Sequence, residues 1–429
     1  MLTNKRLLFI VIVLVSVFSA KAQNTNSAYS RYGYGVLNDK AVGASKGMGG
    51  ISYGIRGQNV NPGNPASYSN MDSLTFLFDI GISFTQSRFK APEATQNDDN
   101  GGLDYLALQF PLSNKLAFSA GFLPYSSVGY SFGNISEKDN IITQSTFQGL
   151  GGLGQIYGGL SYRISKNLSM GANVAYLSGR TENQSSVMFL NGNIPSSGKY
   201  RKLTVNAVKI DIGVQYQVPV KIQGHLNTLT VGAVYTPSIK PSTRMSEITV
   251  ANNSADTTAF GVDTQLPHTL GIGFTLFNNR NFTYGLDVTY QKWSGVDYPN
   301  AMGDQLSVSD RFNDRWRINA GLEYVAAPME PGFFKRVKLR GGLNYSNSYL
   351  NVKESNTGKI GGYKEYGATI GFGLPFRTSI YVPRTSYVNI NFEYTRLNPD
   401  VKTMIEEDYF GVSIGLSMND LWFMKNKFR

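Results

Sequence analysis

Leu74-Thr75-Phe76-Leu77-Phe78-Asp79-Ile80-Gly81-Ile82-Ser83-Phe84 carries an apolar side chain at every even position, with mostly small or polar residues between. A repeat of two gives one apolar face and one mixed face, which is the pattern of a strand. The preceding stretch, Val42 to Asp72, is different in kind. It holds Gly43, Gly47, Gly49, Gly50, Gly54, Gly57 and Gly63, together with Asn61-Pro62-Gly63-Asn64-Pro65-Ala66. That density of glycine and proline sustains neither a long helix nor a regular strand, so the stretch reads as a compact, tightly turned unit. Segments of the first kind recur to the C-terminus. The expectation is that they close into a barrel with the glycine-rich unit inside.

The chain opens with Lys5 and Arg6, the apolar run Leu7 to Phe18, and Ser19-Ala20-Lys21-Ala22. This charged, apolar, small-residue order is that of a secretory signal peptide, so 1–22 reads as a leader cleaved after Ala22. The apolar run falls short of the ~20 residues a spanning helix needs, and no later segment approaches that length. There is no cysteine, which removes disulfides, thiol catalysis, thiolate metal sites and a lipid-anchored cysteine. Charged residues make up 16%, with 13% aromatics and 46 glycines, whereas a soluble domain carries about 25% charge. The net charge of +11 falls to about +8 without Lys5, Arg6 and Lys21. Lysines and arginines are scattered along the sequence, so they read as loop, lumen and lipid-headgroup contacts and not as a nucleic-acid patch.

Fourteen candidate strands run from Leu74–Phe84 to Tyr409–Met418, most close to the ~9–11 residues that cross a bilayer at a tilt. Short links (Pro111 to Lys115, Ser165 to Asn167, Pro219 to His225, Asn278 to Asn281) alternate with long ones (Gln86 to Gly101, Ser126 to Gly151, Ser178 to Lys202, Pro237 to Pro267, Ser294 to Asp314). That alternation, with an even strand count, is the signature of an outer-membrane barrel with tight periplasmic turns and long outer loops. Closure is imposed by the solvent, because an open sheet edge in hydrocarbon leaves backbone groups without partners. Tyr284, Leu286, Val288 and Tyr290, then Ile318, Ala320, Leu322 and Tyr324, then Phe410, Val412, Ile414, Leu416 and Met418 supply the lipid-facing sets. Trp293 and Trp316 are expected in the outer aromatic girdle and Trp422 at the opposite face. The expected organisation is all-β: signal peptide 1–22, N-terminal plug 23–72, fourteen-stranded antiparallel transmembrane barrel 73–418, and periplasmic tail 419–429.

Several of these stretches resemble the long-chain fatty acid transporter family of outer-membrane proteins, the FadL-like barrels, which include aromatic-hydrocarbon channels. Leu266-Pro267-His268-Thr269-Leu270-Gly271-Ile272-Gly273-Phe274, with Phe282 to Ser294 after it, is similar to that family's proline-led strand, short turn and strand ending in an aromatic, charge, Trp-Ser run. Trp316 to Tyr324 and Leu339 to Tyr345 are similar to its next two strands, and Asn61 to Ala66 resembles the hatch element, here Asn61, Pro62, Asn64, Pro65 and Ala66. The resemblance implies a fourteen-stranded barrel in the cell outer membrane, and passive uptake of hydrophobic or amphipathic, fatty-acid-like molecules with sideways release into the membrane. It also implies a kinked third strand. Gly121 and Pro124 fit that kink, since proline removes a ladder hydrogen bond; the alternative is that Pro124 ends the strand at the outer rim. The Tyr-rich start, Tyr29 to Tyr34, and the tail past the last strand depart from the family pattern.

Enzymatic chemistry finds little support. Gly149-Leu150-Gly151-Gly152-Leu153-Gly154 matches a dinucleotide string, but Ile156-Tyr157-Gly158-Gly159-Leu160 just after it is strand-like, where such a site needs a helix. His225 and His268 are the two histidines and fall at opposite ends of the barrel, so no catalytic residue, metal site or cofactor is expected. Seven charges have inward parity: Asp211, Asp287, Arg317, Glu323, Lys338, Arg340 and Glu393. They either pair with one another and with the plug, or leave Arg317, Lys338 or Arg340 to receive a carboxylate head group. The expected partners are outer-membrane lipid and hydrophobic small-molecule cargo, and not nucleic acid. An alternative is a barrel that no longer transports and serves as scaffold or shuttle subunit of an outer-membrane secretion or assembly complex.

Overall fold

The computed structural model describes residues 27–92, 94–138, 140–191, 195–251, 254–278, 281–299, 306–307, 310–328, 330, 332–354, 358–377 and 384–421. The expected signal peptide, Trp422 and the rest of the tail beyond 421 lie outside these residues. The strands are β1 (Val36–Leu37), β2 (Thr75–Lys90), β3 (Thr95–Pro111), β4 (Leu116–Lys138), β5 (Ile141–Arg163), β6 (Leu168–Phe189), β7 (Ser197–Ile222), β8 (His225–Thr236), β9 (Ser242–Ala251), β10 (Ser254–Gly261), β11 (His268–Phe277), β12 (Phe282–Lys292), β13 (Arg315–Val325), β14 (Lys338–Asn347), β15 (Val352–Lys353), β16 (Ile360–Gly361), β17 (Tyr363–Arg377), β18 (Thr385–Pro399) and β19 (Glu406–Leu421). Of these, β2–β8, β11–β14 and β17–β19 form a closed antiparallel barrel of fourteen strands. The last strand closes on the first, with Val412 opposite Phe84 and Leu421 opposite Thr75, so 419–421 continue the wall. β11 pairs directly with β8, and the β9–β10 hairpin folds back onto the start of β7.

Alternation decides which side chain meets lipid. Ile156, Leu343, Ile370 and Phe410 stand outward and exposed, while Asn173, Gln215, Asp287, Asn319 and Asn391 are buried against the lumen contents. The outward set is apolar because hydrocarbon surrounds it, and the backbone needs closure because hydrocarbon offers no partners.

Four segments read as long loops contain strand instead. Strand covers 86–90, 95–101, 126–138, 141–151, 178–189 and 197–202, where the ladders continue outward, and 237–267 holds the paired strands β9 and β10. Both faces of such hairpins are wet, so no apolar alternation marks them, although the backbone pairing persists. A second correction concerns Trp293. It is fully buried with Tyr34, Phe312 and Tyr349, forming an aromatic lid over the outer lumen, whereas Trp316 is half exposed on the outer wall. Parity explains the difference: counting on from Tyr290, position 292 faces lipid and 293 faces the lumen.

Residues 27–72 fill the barrel. They make three short 3-10 turns, Ala28–Arg31, Gly43–Met48 and Pro65–Asn70, joined by extended and glycine-turned backbone. The unit starts near the outer end, where the Ser27 amide donates to the Gly129 carbonyl at 2.7 Å. It ends at the short-turn, periplasmic end. Wall glycines let it approach. A β-carbon on Gly342 would strike the backbone of Met48 and Gly49, and one on Gly213 would strike Asn64 and Pro65.

Candidate functional site

The wall is discontinuous beside Pro124. The β2–β3 ladder runs from Leu77 opposite Gln109 to Lys90 opposite Thr95, but the β3–β4 ladder runs only from Pro111 opposite Ala117 to Leu106 opposite Phe122. Above that point β4 continues to Lys138 with a register shift against β5 between Pro124 and Ser126. Pro124 therefore lies within a strand and does not end one. Opposite the bulge, Gly151 and Gly152 take φ of 118° and 146°, a conformation open to glycine. Gly149 to Gly154 thus sits inside β5, with strand on either side and no helix after it. In place of β3, the plug strand β1 pairs here with β4, Val36 against Ser127 and Leu37 against Ser126. Gly121 lies just below the break, packed against Leu106 and Ala107 of β3.

Behind the break lies a cavity of about 260 Å³ reached by Asn100, Asp104, Pro124, Lys46, Arg317 and Glu393. A second chamber of about 110 Å³ shares Asp39 and Arg317 with the first and is lined further by Lys40, Lys209 and Arg315. Both have mixed polar and apolar linings, and their charges are matched across the plug–wall boundary. Arg317 donates to Glu365 at 2.9 Å and pairs with Asp39 of the plug. Lys46 pairs with Asp104 and lies 3.9 Å from Glu393. Burial lowers the affinity of the Lys46 amine for its proton, but Asp104 and Glu393 outweigh that and hold its pKa above the usual lysine value. Asp211 takes Lys40 at 2.7 Å and Lys209 at 3.0 Å.

The three candidate head-group cations are not brought together. Arg317 borders the outer chambers, whereas Lys338 and Arg340 line a separate cavity of about 360 Å³ with Asp79 and Arg384. There Glu323 accepts from Lys338 at 3.1 Å and from Arg340 at 2.7 Å. Each of the three thus already holds a carboxylate. Sequence reasoning named Asp211, Arg317, Glu323, Lys338, Arg340 and Glu393 on the wall but missed Asp104, Lys209, Arg315 and Glu365 there, and missed the plug partners Asp39, Lys40 and Lys46, which look like ordinary loop charges. The usable signal was that a unit placed inside a barrel must match the inward-parity charges around it.

Asn61 to Ala66, expected as a hatch element, make hydrogen bonds within 27–72 and to the wall. Asn64 caps the Pro65–Asn70 turn through the Ala66 amide at 3.1 Å and donates to the Tyr53 carbonyl at 2.8 Å. Asn61 donates to the Ser52 carbonyl at 2.7 Å, the Pro62 carbonyl accepts from Asn173 at 3.4 Å, and the Ala66 carbonyl accepts from Ser161 at 3.1 Å. Asp287, read only as an inward charge, receives the Ser52 and Tyr53 amides at 2.5 and 2.9 Å. His268 Nδ1 lies 2.9 Å from the Tyr235 hydroxyl, and among the described residues no group of three His, Cys, Asp or Glu forms a metal cluster.

No curated protein sequence matches the chain. Solved structures do match it in shape. A Pseudomonas aeruginosa FadL homologue is 14% identical, with 90% of this chain and 99% of that one covered at a TM-score of 0.56. The Ralstonia pickettii toluene transporter TbuX is 15% identical, covering 90% and 100% at 0.56, and the P. putida toluene transporter TodX is 13% identical, covering 90% and 100% at 0.56. At such identities the likeness is one of fold, and the resemblance read from the sequence holds at that level. The family model that matches, over residues 3–429, is BamG. The chain is a transmembrane β-barrel of the FadL-like fold and belongs to the BamG family.

Proposed function

We propose that this protein is an outer-membrane channel for hydrophobic or amphipathic small molecules, which enter from outside, pass beside the plug and leave sideways at the β3–β4 break next to Pro124. One observation carries the reading: the ladder ends at Leu106 and Phe122 while both strands continue, and a cavity lies behind the gap. The solved barrels that share the fold include proteins described as toluene transporters, which supports the cargo class by analogy of fold. Passage of this kind requires no cofactor. The test uses the absence of native cysteine. Asn100→Cys and Pro124→Cys, bridged by a bifunctional maleimide, should abolish uptake of a fluorescent fatty acid into proteoliposomes, with recovery when a cleavable linker is cut. Uptake that is indifferent to the bridge sinks the lateral route.

A second reading, a non-transporting subunit of an envelope protein complex, is favoured by the ion-paired lumen. The cations lining the chambers are engaged by the plug and the wall, and aromatic side chains close the outer end. Purification in mild detergent separates the two readings. A co-extracted amphiphile supports the channel, and stoichiometric protein partners on a barrel empty of lipid support the complex.

A further inference from the structure

Two arginines on the periplasmic floor lack the carboxylate partner that Lys40, Lys46, Lys209, Arg317, Lys338 and Arg340 each hold. Arg56, on the plug, donates to Gln217 at 2.7 Å, to the Asn70 side chain at 2.5 Å and to Ser169 at 3.4 Å. Arg163, at the end of β5, stands opposite Ser169 in the β5–β6 register and donates to the Ser69 carbonyl. The two guanidiniums thus converge on the adjoining residues Ser69 and Asn70, and all their acceptors are neutral. Among the described residues neither forms a salt bridge, and the Nε of each is buried without a partner. Burial, then the charge of Arg163, push Arg56 down to about 10, with no acid opposing them. The floor is open next to Arg56, since a β-carbon on Gly57 would meet nothing within 4 Å.

Folding also collects charge that is dispersed in the sequence. Lys115 and Lys166 occupy the neighbouring short turns, Lys221 lies at the end of β7 beside the next one, and Lys335, Arg336, Arg377 and Arg384 fall at the same end of the barrel. The acids there are Asp72, Glu330 and Asp420; Glu330 is paired with Lys335, and Asp72 lines the Lys338–Arg340 cavity. The sequence reading of scattered basic residues is therefore incomplete, because the topology gathers many of them onto the periplasmic face.

We propose that Arg56 and Arg163 form an oxyanion site on the periplasmic floor that takes a carboxylate from an acidic segment of a periplasmic polypeptide. The chemistry is a guanidinium–carboxylate contact in which the carboxylate replaces neutral acceptors of the two arginines, and the buried Nε donors are reached only when the side chains turn toward the floor. A carboxylate there would remove the repulsion between the two arginines and tie the plug to β5 through a shared anion. Inorganic phosphate offers the same oxyanion chemistry, but a single ion leaves the surrounding lysines unused, whereas an acidic segment engages site and surround together. A membrane headgroup meets the turns but not Arg56, which the barrel wall encloses. The proposal goes beyond the passage reading and does not depend on anything crossing the lumen.

The experiment is a fluorescence-anisotropy titration of the full-length detergent-solubilised protein with labelled hexaglutamate, at matched ionic strength in chloride or phosphate. Wild type should bind the peptide, and Arg56→Gln and Arg163→Gln should each weaken it about tenfold, or ~1.4 kcal/mol. Lys221→Gln, which removes one charge from the same face, should weaken it less than about threefold. Circular dichroism and heat-modifiable gel migration certify folding. Arg163→Lys, which keeps charge but loses the fork, should fall between Arg163→Gln and wild type. Equal loss from Lys221→Gln and the arginine variants, or no loss from either arginine, overturns the site. Displacement of the peptide by low-millimolar phosphate in wild type overturns the polypeptide source.

Discussion

Lys40 of the plug and Asp211 of the wall meet at 2.7 Å, and the other oxygen of the same carboxylate holds Lys209 at 3.0 Å. One acid thus serves two cations, and the two ends of this triad are unequal. Lys209 is buried, while the Lys40 side chain is about a quarter exposed. Asp211→Asn leaves both amines without a carboxylate, a change that costs about 3–5 kcal/mol when a buried charge loses its partner. Lys40→Met leaves the Asp211–Lys209 pair intact and should cost clearly less. Urea unfolding in micelles checks the order, and a Lys40→Met loss equal to that of Asp211→Asn would refute the account.

Trp293 and Trp316 offer a contrast from one residue type. Trp293 packs against Tyr349 at a ring-centroid distance of 4.4 Å and against Phe312 at 5.8 Å, with none of its surface exposed. Trp316 lies against Tyr290 at 4.6 Å on the lipid side, with half its surface exposed. Trp293→Ala should cost about 3–5 kcal/mol and open the outer lid, raising single-channel conductance. Trp316→Ala should leave conductance unchanged and destabilise much less. Similar stabilities for the two variants would contradict the inward placement of Trp293.

The split between these tryptophans shows what a sequence carries for a barrel. Wherever one face meets lipid and the other the lumen, as in Tyr284 to Tyr290 or Phe410 to Met418, period two announces the strand and its facing. Once the strand rises out of the membrane, as in Gln86 to Gly101, both faces are wet and the signal vanishes. The turn at Pro65–Asn70 was legible because Asn64 and Pro65 build it locally, which is sequence-near physics. The pairings Asp39–Arg317, Lys46–Asp104 and Lys40–Asp211 were not legible, because each joins residues far apart in the chain. The Arg56–Arg163 convergence was missed for the same reason, and no motif marks it.

Asp314, in the loop before β13, accepts the Tyr290 hydroxyl at 2.6 Å and the Ser294 amide at 2.9 Å. Partial burial alone would raise its pKa, but these hydrogen bonds outweigh that and hold it below the usual carboxylate value. A carboxylate depressed in the folded state contributes stability that is fully present above its unfolded pKa of about 3.9 and is lost as pH falls through the folded value. The turn at Ser294 should therefore loosen only below about pH 4, read as faster backbone hydrogen exchange after correction for intrinsic rates. Asp314→Asn should show the looser turn at neutral pH and lose the acid-induced step. A step that persists in Asp314→Asn assigns the transition to another group.

The last prediction concerns how the plug is seated. Asn64 and Pro65 occupy the space that a side chain on Gly213 would need, and the Ser67 side chain behind them is buried, donating to the Asn64 carbonyl at 2.8 Å. Gly213→Val cannot be accommodated by a flexible side chain, because the obstruction includes the proline ring. It should push the Pro65–Asn70 turn off the wall while leaving the barrel closed, since valine is well suited to a strand. Because the chain has no cysteine, Ser67→Cys gives a single thiol whose reaction with a membrane-impermeant maleimide reports exposure. The thiol should be protected on the Gly213 background and labelled at least tenfold faster with Gly213→Val, while heat-modifiable migration is retained. Unchanged protection would mean that the plug tolerates a β-carbon at this position, and that the wall glycines are not what seats it.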